Sequence, residues 1–307
     1  MMNHPAFCQK PNYHPVLSVT AYRALALQHR QAGFYNLTTL WYFRKAWLLS
    51  KKTSDYLRYL AFRRDLGFAL TSHQRQRLNA AFRYPGAFTL WALLNPAEAE
   101  LFRKFQQLPV QRPEPSTLIQ RLHQAKTIQL VGNSAQLKHA QMGAFIDQAD
   151  MVIRFNQCFS AQTNWEDTGQ KTDLWVGAPN FKLTVPKAKD YVITGPDMLT
   201  WLRRLPAVFR PLQPLHSIPL AYWKPLVRQL AAPPSAGLLT CYWLLQQAPK
   251  AQIFVCGFDL HSQNLKYHHA DELHQPVQRH HWQAERHLLT QWQQQQWFML
   301  GCRERFN

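Results

Sequence analysis

The sequence predicts an α/β fold in which a helical segment precedes a segment of alternating strands and helices. Before Pro109, leucine and aromatic residues return every three or four positions, as they do on one face of a helix. After Pro115, short apolar runs alternate with helical or irregular stretches, which is typical of an α/β sheet. The proline-rich segment LPVQRPEPS separates the two patterns. We therefore predict an N-terminal helical, basic module over residues 1–115 and an α/β domain over residues 116–307.

The helical and the alternating pattern each predict individual elements of secondary structure. Helices are predicted in the first part at Ala21 to Gln31, Leu40 to Lys52, Thr53 to Gly67, Thr71 to Ala81 and Pro96 to Gln107. Strands are predicted in the second part at Thr127 to Val131, Met151 to Phe155, Asp173 to Val176, Tyr191 to Thr194 and Gln252 to Cys256. Ligands of such sheets bind outside the carboxyl ends of the strands. The turns at residues 132–134 and 257–259 should therefore border one cleft.

The chain is strongly basic, because 35 Lys and Arg residues face 17 Asp and Glu residues and give a formal charge of +18. Such a charge favours polyanionic partners: nucleic acid, an anionic membrane or a phosphorylated glycolipid. No zinc finger, ribonucleoprotein motif or periodic recognition helix is present, so we expect no nucleic acid. FRKAWLLSKK, YLRYLAFRRD and SHQRQRLNAAFRY mix cations with aromatics, a pattern that suits either acidic headgroups or ordinary solvated helix faces.

The cysteines and the apolar runs indicate a compartment. Five scattered cysteines without a CxxC pair argue against a disulfide framework or a zinc site. The N-terminus lacks a signal-peptide pattern, and no run approaches the ~20 apolar residues of a membrane span. We expect a cytoplasmic protein with at most peripheral contact at the inner membrane.

Several common motifs are missing from the sequence. There is no GxGxxG after the first strand, no GxxxxGK, no GxSxG and no HExxH, which disfavours dinucleotide, triphosphate and hydrolase sites. There is also no Asp-x-Asp, a pair of carboxylates that holds a divalent ion on a diphosphate. The sequence therefore favours a reaction without metal or other cofactor.

Three groups of residues are candidates for a site. The first is the turn with Asn133 and Ser134 after the first strand, together with the Arg-Phe-Asn that ends at Asn156. The second is Pro-Pro-Ser-Ala-Gly before a helix, where Ser235 and the amides of Ala236 and Gly237 suit a phosphate, although the same pattern is a common N-cap.

The third group is a histidine cluster that contains His268, His269, His280 and His281. Histidines titrate near neutral pH, so one can accept a proton from a hydroxyl and another can donate to a departing phosphate. A zinc site is the rival interpretation, but the His pair at i, i+4 is absent. A purely structural role remains the alternative for each histidine taken singly.

These motifs, in this order, resemble those of glycosyltransferase family 29, the sialyltransferases. VGNSAQL with RFN is similar to the large sialyl motif, PSAGLLTCYWLL through FVCGFD to the small one, YHHADE to the third, and His280 to Glu285 to the His-x4-Glu motif. The resemblance implies a Rossmann-like, single-domain nucleotide-sugar transferase fold of a GT-A-like variant, with an N-terminal helical module. It also implies metal-independent, inverting transfer of an acidic sugar from a CMP-sugar donor to a glycan or glycolipid acceptor.

The resemblance also implies roles for individual residues. Asn133, Ser134 and Asn156 would contact the CMP moiety, as would Ser235, Ala236 and Gly237. His269, or else His268, would face the donor phosphate as an acid or electrophile. His280 would be the general base that deprotonates the acceptor hydroxyl. No metal ligand and no cofactor are implied.

The chain departs from the animal members of that family. Ile128 stands at the position of the first motif cysteine and Lys250 lies near that of the second, so their disulfide cannot form. Ala236 replaces the usual threonine, and the signal-anchor pattern is missing, which suggests a bacterial cytoplasmic relative. The donor is expected to be CMP-sialic acid, with CMP-Kdo of lipopolysaccharide core synthesis as the alternative and lipooligosaccharide as a fitting acceptor. A non-catalytic protein that binds nucleic acid or another anionic polymer remains a second alternative.

Overall fold

The computed structural model describes residues 5–8, 17–69, 71, 73–74, 115–160, 163–179, 181, 183–196, 209, 212, 214–260 and 277–301. The N-terminal module contains the helices α1 (Val19–Gln31), α2 (Leu37–Ser50) and α3 (Thr53–Asp65). Two of them begin at side-chain caps: Ser18 Oγ accepts from the Ala21 amide at 3.2 Å, and Asn36 Oδ1 accepts from the Thr39 amide at 2.9 Å. Such caps satisfy amides that the helix itself leaves unpaired.

The described residues of the second part contain a sheet of seven strands in which every neighbouring pair is parallel. Its strands are β1 (Thr127–Val131), β2 (Met151–Phe155), β3 (Leu174–Gly177), β4 (Asp190–Ile193), β5 (Leu215–Ser217), β6 (Gln252–Cys256) and β7 (Met299–Leu300). The helices are α4 (Pro115–Gln124), α5 (Gly143–Asp147), α6 (Trp165–Thr168), α7 (Leu220–Leu230), α8 (Ala236–Gln247) and α9 (Trp282–Gln294). The predicted mixed α/β, Rossmann-like class is confirmed.

The strand order is β5-β4-β3-β2-β1-β6-β7. The chain runs outward from β1 to β5 on one side and resumes on the other side of β1 with β6. This reversal is the topological switch point, beside which open parallel sheets bind their ligands at the carboxyl ends of the strands. The fold therefore directs attention to the turns after β1 and β6.

The N-terminal helices share one hydrophobic core with the sheet. Tyr22, Phe43 and Phe62 from α1 to α3 belong to the same buried cluster as Ile128 and Leu130 of β1. Smaller clusters, which include Val152 and Trp175, contain the residues that point to the opposite face. Separating the helices from the sheet would expose apolar surface of both.

The element boundaries differ from the predictions at several places. The strands predicted at 127–131, 151–155 and 252–256 are confirmed, whereas β3 and β4 are each displaced by one residue. The second helix begins at Leu37, three residues early, because Asn36 caps it, and it ends at Ser50. The strands β5 and β7 were not predicted, because three and two residues are too short for a periodic signal. The helices predicted at 71–81 and 96–107 lie outside the described residues, apart from positions 71, 73 and 74.

Candidate functional site

The turns that follow β1 and β6 contact each other at the switch point. The Gly132 amide donates to the Cys256 carbonyl at 2.8 Å, and the Ser134 amide donates to the Gly257 carbonyl at 3.0 Å. A Cβ atom at Gly132 would lie 2.1 Å from the Gly257 oxygen, so only glycine permits this approach. The predicted proximity of the two turns is confirmed.

Asn133 presents an unsatisfied acceptor at this edge. Its Nδ2 donates to the Phe155 carbonyl at 2.9 Å, which fixes the side chain between β1 and β2. Its Oδ1 is buried and has no hydrogen-bond partner among the described residues. A buried polar atom without a partner costs free energy, so Oδ1 is prepared to accept a hydrogen bond from a ligand.

Asn156 directly follows β2 and has a left-handed conformation with φ 47°, which asparagine tolerates better than most residues. Its Oδ1 accepts from the Ala178 amide at 2.8 Å, and its carbonyl accepts from Trp175 Nε1 at 2.8 Å. The side chain therefore holds the ends of β2 and β3 together. Its carboxamide N–H groups are the remaining donors of this side chain.

Ser134 shapes the turn after β1 through its hydroxyl. Ser134 Oγ accepts from the Gln136 amide at 3.2 Å and begins a 3₁₀ turn at Ala135–Leu137. Gln136 Nε2 then donates to Asp259 Oδ1 at 2.9 Å, a second link between the two turns. The two turns are thus braced by side chains as well as by the backbone.

The N-terminus of α8 lies beside the turn after β6. A Cβ atom at Gly237 would lie 2.8 Å from the Phe258 ring, so helix and turn are in direct contact. Ser235 Oγ accepts from the Leu238 amide at 3.2 Å and is the N-cap of this helix. The amides of Ala236 and Gly237 have no partner within the described part of the chain. Such free N–H groups at a helix N-terminus are suited to an anion.

His280 is held against the segment that leads into α8. Its Nδ1 lies 2.7 Å from the Pro233 carbonyl oxygen, so Nδ1 carries the proton and donates a hydrogen bond to that oxygen. Nε2 is then the nitrogen with the free lone pair. Burial lowers the pKa of His280 to about 4. The imidazole is therefore neutral near pH 7 and can accept a proton.

Glu285 lies between His280 and the N-cap of α8. Its Oε1 accepts from the Ser235 amide at 2.8 Å and lies 3.9 Å from His280 Nδ1. The side chain is buried, and burial raises the pKa of its carboxyl group to about 7. The His-x4-Glu segment and the Ser-Ala-Gly turn are therefore one structural unit.

The N-terminal module reaches the same unit through the turn between α1 and α2. Gly33 has φ +83°, and a Cβ atom there would lie 2.4 Å from the Arg279 carbonyl oxygen. The residue before His280 thus packs directly on this turn.

The structure brings together six of the predicted site residues at one edge of the sheet: Asn133, Ser134, Asn156, Ser235, Ala236 and Gly237. His280 lies against Pro233, in the segment that leads into α8. His268 and His269 lie outside the described residues. In the described part of the chain, no group of three or more His, Cys, Asp and Glu side chains is arranged to hold a metal ion. The helices described here include none that is long and apolar enough to cross a bilayer.

Comparison with known proteins finds one family whose model matches part of the chain. Residues 70–195 match the model for glycosyltransferase family 29 (sialyltransferase), a range shorter than half of the chain. The protein is a glycosyltransferase. The match confirms the predicted resemblance to this family. It includes Asn133 and Asn156 but ends before Ser235 and His280. It gives no support to a non-catalytic binding protein.

Two solved structures of a mammalian sialyltransferase resemble this glycosyltransferase. One, in complex with Gal-beta-1-3GalNAc-ortho-nitrophenol, has 18% sequence identity and a TM-score of 0.45. The match covers 66% of this chain and 85% of the sialyltransferase chain. The other has 17% identity and a TM-score of 0.45 and covers 66% and 83%. No curated protein matches the chain. At this identity and TM-score, no residue role or substrate is transferred from the two structures.

The sequence prediction missed three contributions to the site. Glu285 was recognised as part of a motif, but its bond to Ser235 joins residues 50 positions apart. Gly33 and Arg279 were not singled out. A glycine between two helices signals a helix end, but nothing in the sequence indicates which segment packs against it.

Proposed function

We propose that this glycosyltransferase transfers an acidic sugar, sialic acid in the first instance, from a CMP-activated donor to a glycan acceptor, without a metal ion and with inversion. The hydrogen bond from the Ser235 amide to Glu285 carries the proposal, because it joins the helix that follows the candidate base His280 to the helix terminus suited to the donor phosphate. A donor and a general base must be held in one geometry for direct displacement.

The donor side is formed by the turns at the switch point and the N-terminus of α8. Asn133 Oδ1 is a buried acceptor that suits an amino or hydroxyl group of a nucleoside. The amides of Ala236 and Gly237 suit the phosphate. Helix-terminal N–H groups can stabilise the charge that develops on departing CMP in the place of a cation.

The acceptor side is formed by His280. Its Nε2 takes the proton of the acceptor hydroxyl while the acceptor oxygen bonds to the anomeric carbon. The bond between that carbon and the phosphate oxygen breaks, and CMP leaves with the electron pair. A single displacement of this kind inverts the anomeric centre. The family resemblance assigns protonation of the leaving phosphate to His269, or else to His268.

The acceptor and the location of the enzyme are part of the same proposal. Lys51 and Lys52 are exposed at the corner between α2 and α3, together with Leu49, which is 49% exposed, and Arg44 is exposed in the middle of α2. Asp55, the acidic residue of this corner, is buried and already bonded to Arg23, Arg58 and Ser50. Exposed cations beside an apolar side chain suit an anionic membrane. A cytoplasmic enzyme at the inner membrane that acts on lipooligosaccharide fits this surface.

A thermal-shift comparison of CMP, UMP, UDP, GDP and NAD in the presence of EDTA tests the proposal. A ligand that binds only the native state raises the melting temperature, and we expect the largest rise with CMP. Stabilisation by UDP but not by CMP would overturn the proposal. Transfer assays with CMP-sialic acid and CMP-Kdo then decide between the two donors.

A further inference from the structure

The imidazole of His280 is in contact with the indole of Trp282. The two ring centroids are 5.1 Å apart and the ring planes meet at 64°, an edge-to-face arrangement that aromatic pairs prefer. Trp282 is the first residue of α9, whose N-cap His281 accepts from the Ala284 amide at 3.2 Å through Nδ1. Trp282 therefore lies at a capped helix end, directly beside the candidate base.

A hydrogen bond fixes the indole of Trp282. Its Nε1 donates to the Val277 carbonyl at 3.0 Å, and the His280 amide donates to the same carbonyl at 3.3 Å. One backbone oxygen thus accepts from the candidate base residue and from its aromatic neighbour. The two bonds close the segment from Val277 to Trp282 into one turn, so the indole cannot rotate away without losing its hydrogen bond.

The hydrogen bond to Pro233 does not by itself fix the plane of the imidazole. His280 Nδ1 lies 2.7 Å from the Pro233 oxygen, but a carbonyl oxygen accepts hydrogen bonds over a broad range of directions. The ring can therefore tilt about this bond, and a tilt moves Nε2. Contact with an indole that is itself fixed restricts that movement.

The other neighbours of His280 described above hold different groups. Glu285 Oε1 lies 3.9 Å from His280 Nδ1, beyond hydrogen-bond distance, and accepts instead from the Ser235 amide. Gly33 packs on the backbone of Arg279. Neither contact sets the plane of the imidazole, whereas the indole meets it edge to face.

We propose that Trp282 is a positioning residue that holds the imidazole of His280 in the orientation in which Nε2 accepts the proton of the acceptor hydroxyl. This inference rests on the proposed function, because it takes His280 as the base. The His-x4-Glu motif leaves the position of Trp282 unspecified. A base must lie within about 3 Å of the group whose proton it takes, and a misplacement of about 1 Å can lower the rate ~10²-fold.

Transfer kinetics of the full chain test the proposal, with CMP-sialic acid as donor and lactose as acceptor. We expect Trp282→Leu to lower kcat about tenfold to hundredfold and to leave the KM for lactose unchanged. Trp282→Phe keeps an aromatic ring beside the imidazole and should recover most of the loss. Trp297→Leu removes an indole that is 42% exposed beyond the other end of α9, and it should change neither quantity.

A double-mutant cycle shows whether Trp282 acts through His280. In a His280→Ala background, Trp282→Leu should cause no further loss of kcat, because the imidazole that it positions is gone. The proposal is overturned if the two losses multiply. It is also overturned if Trp282→Leu raises the KM for lactose and keeps kcat, since the indole would then contact the acceptor itself.

Nitrogen-15 NMR of histidine-labelled protein gives a readout that does not depend on transfer. The His280 signals, assigned by their loss in His280→Ala, should show one tautomer with the proton on Nδ1 in the wild type. In Trp282→Leu we expect exchange between tautomers, and unchanged signals would overturn the proposal. Failure of the proposed function gives a different result, because the wild type would then transfer nothing while Trp282→Leu still changed the His280 signals.

Discussion

Glu285 accepts a hydrogen bond from the Ser235 amide at 2.8 Å, so the helix that follows His280 is tied to the turn that begins α8. The bond uses a carboxyl group that is buried and carries a raised pKa of about 7. Movement of either segment would disturb the other. The candidate base and the candidate phosphate site are therefore held as one unit.

The first prediction concerns the pH dependence of stability. Between pH 4.5 and 7 the folded state holds more protons at Glu285 than the unfolded state, so this group lowers stability as the pH rises. Between pH 4 and 6.5 the folded state holds fewer protons at His280 than the unfolded state, so this group raises stability as the pH rises. In Glu285→Gln only the second contribution remains. The urea midpoint should then rise more steeply from pH 4 to 6.5 than in the wild type; parallel profiles would contradict the assignment.

The second prediction concerns His280. Purified His280→Ala should lose ~10²–10⁴-fold in kcat, the usual contribution of a positioned base, and keep the affinity of the wild type for CMP. Transfer rates and CMP titration measure the two quantities. His287→Ala removes an exposed histidine from α9, the helix that follows His280, and should change neither. Full turnover in His280→Ala would remove this residue from the role of base.

Much of the fold could be predicted because its central strands are short runs of mostly apolar residues. Met151 to Phe155 is buried throughout, which is what a central parallel strand requires. By contrast, β5 consists of only three residues, Leu-His-Ser, and it is a strand because it pairs with β4. The strand order could not be predicted, since it depends on contacts between segments far apart in the chain.

The sequence predicted which motifs form the site, but it did not predict the hydrogen bonds and contacts between them. The order of the motifs indicated Asn133, Ser235 and His280 together. The N-cap interpretation of Ser235 is confirmed, but the sequence could not show that the Ser235 amide reaches Glu285. Nor could it show that Gly33 packs on Arg279, because such contacts depend on how whole elements pack.

The third prediction concerns Asn133. Asn133→Ala removes the buried Oδ1 and should weaken CMP binding about tenfold, the scale of one hydrogen bond left unmade in a buried site. It also removes the bond to the Phe155 carbonyl, so a small loss of stability should accompany it. Isothermal titration with CMP measures the affinity. Gln283→Ala, exposed on α9, is the control. An unchanged affinity would exclude Asn133 from the nucleotide site.

The fourth prediction compares two glycines of the site. Gly132→Ala places Cβ 2.1 Å from a backbone oxygen, so the turns after β1 and β6 must separate. Gly237→Ala meets the Phe258 ring at 2.8 Å, and a side chain can rotate away more easily than backbone can move. Overpacking costs ~1–3 kcal/mol. We expect Gly132→Ala to lie at the upper end or beyond and Gly237→Ala below it in urea unfolding. Equal losses would contradict the direct contact of the two turns.

The fifth prediction concerns the corner between α2 and α3. The full chain should sediment with vesicles that contain phosphatidylglycerol but not with phosphatidylcholine vesicles, and added salt should release it. The double variant Lys51→Glu with Lys52→Glu should lose this binding. Lys187→Glu with Lys250→Glu makes the same charge change at exposed positions elsewhere. Equal loss in both double variants would mean that only net charge matters.

The helix α2 connects the two places where this enzyme would meet its acceptor. It begins close to the turn that packs on Arg279 and ends at the corner with Lys51. Its 14 residues measure about 21 Å at 1.5 Å per residue. The length of α2 would then set the distance between the lipid surface and the candidate base. Only a glycan that projects about this far from the lipid surface would present its terminal hydroxyl to His280, so the length of α2 would select acceptors by their reach.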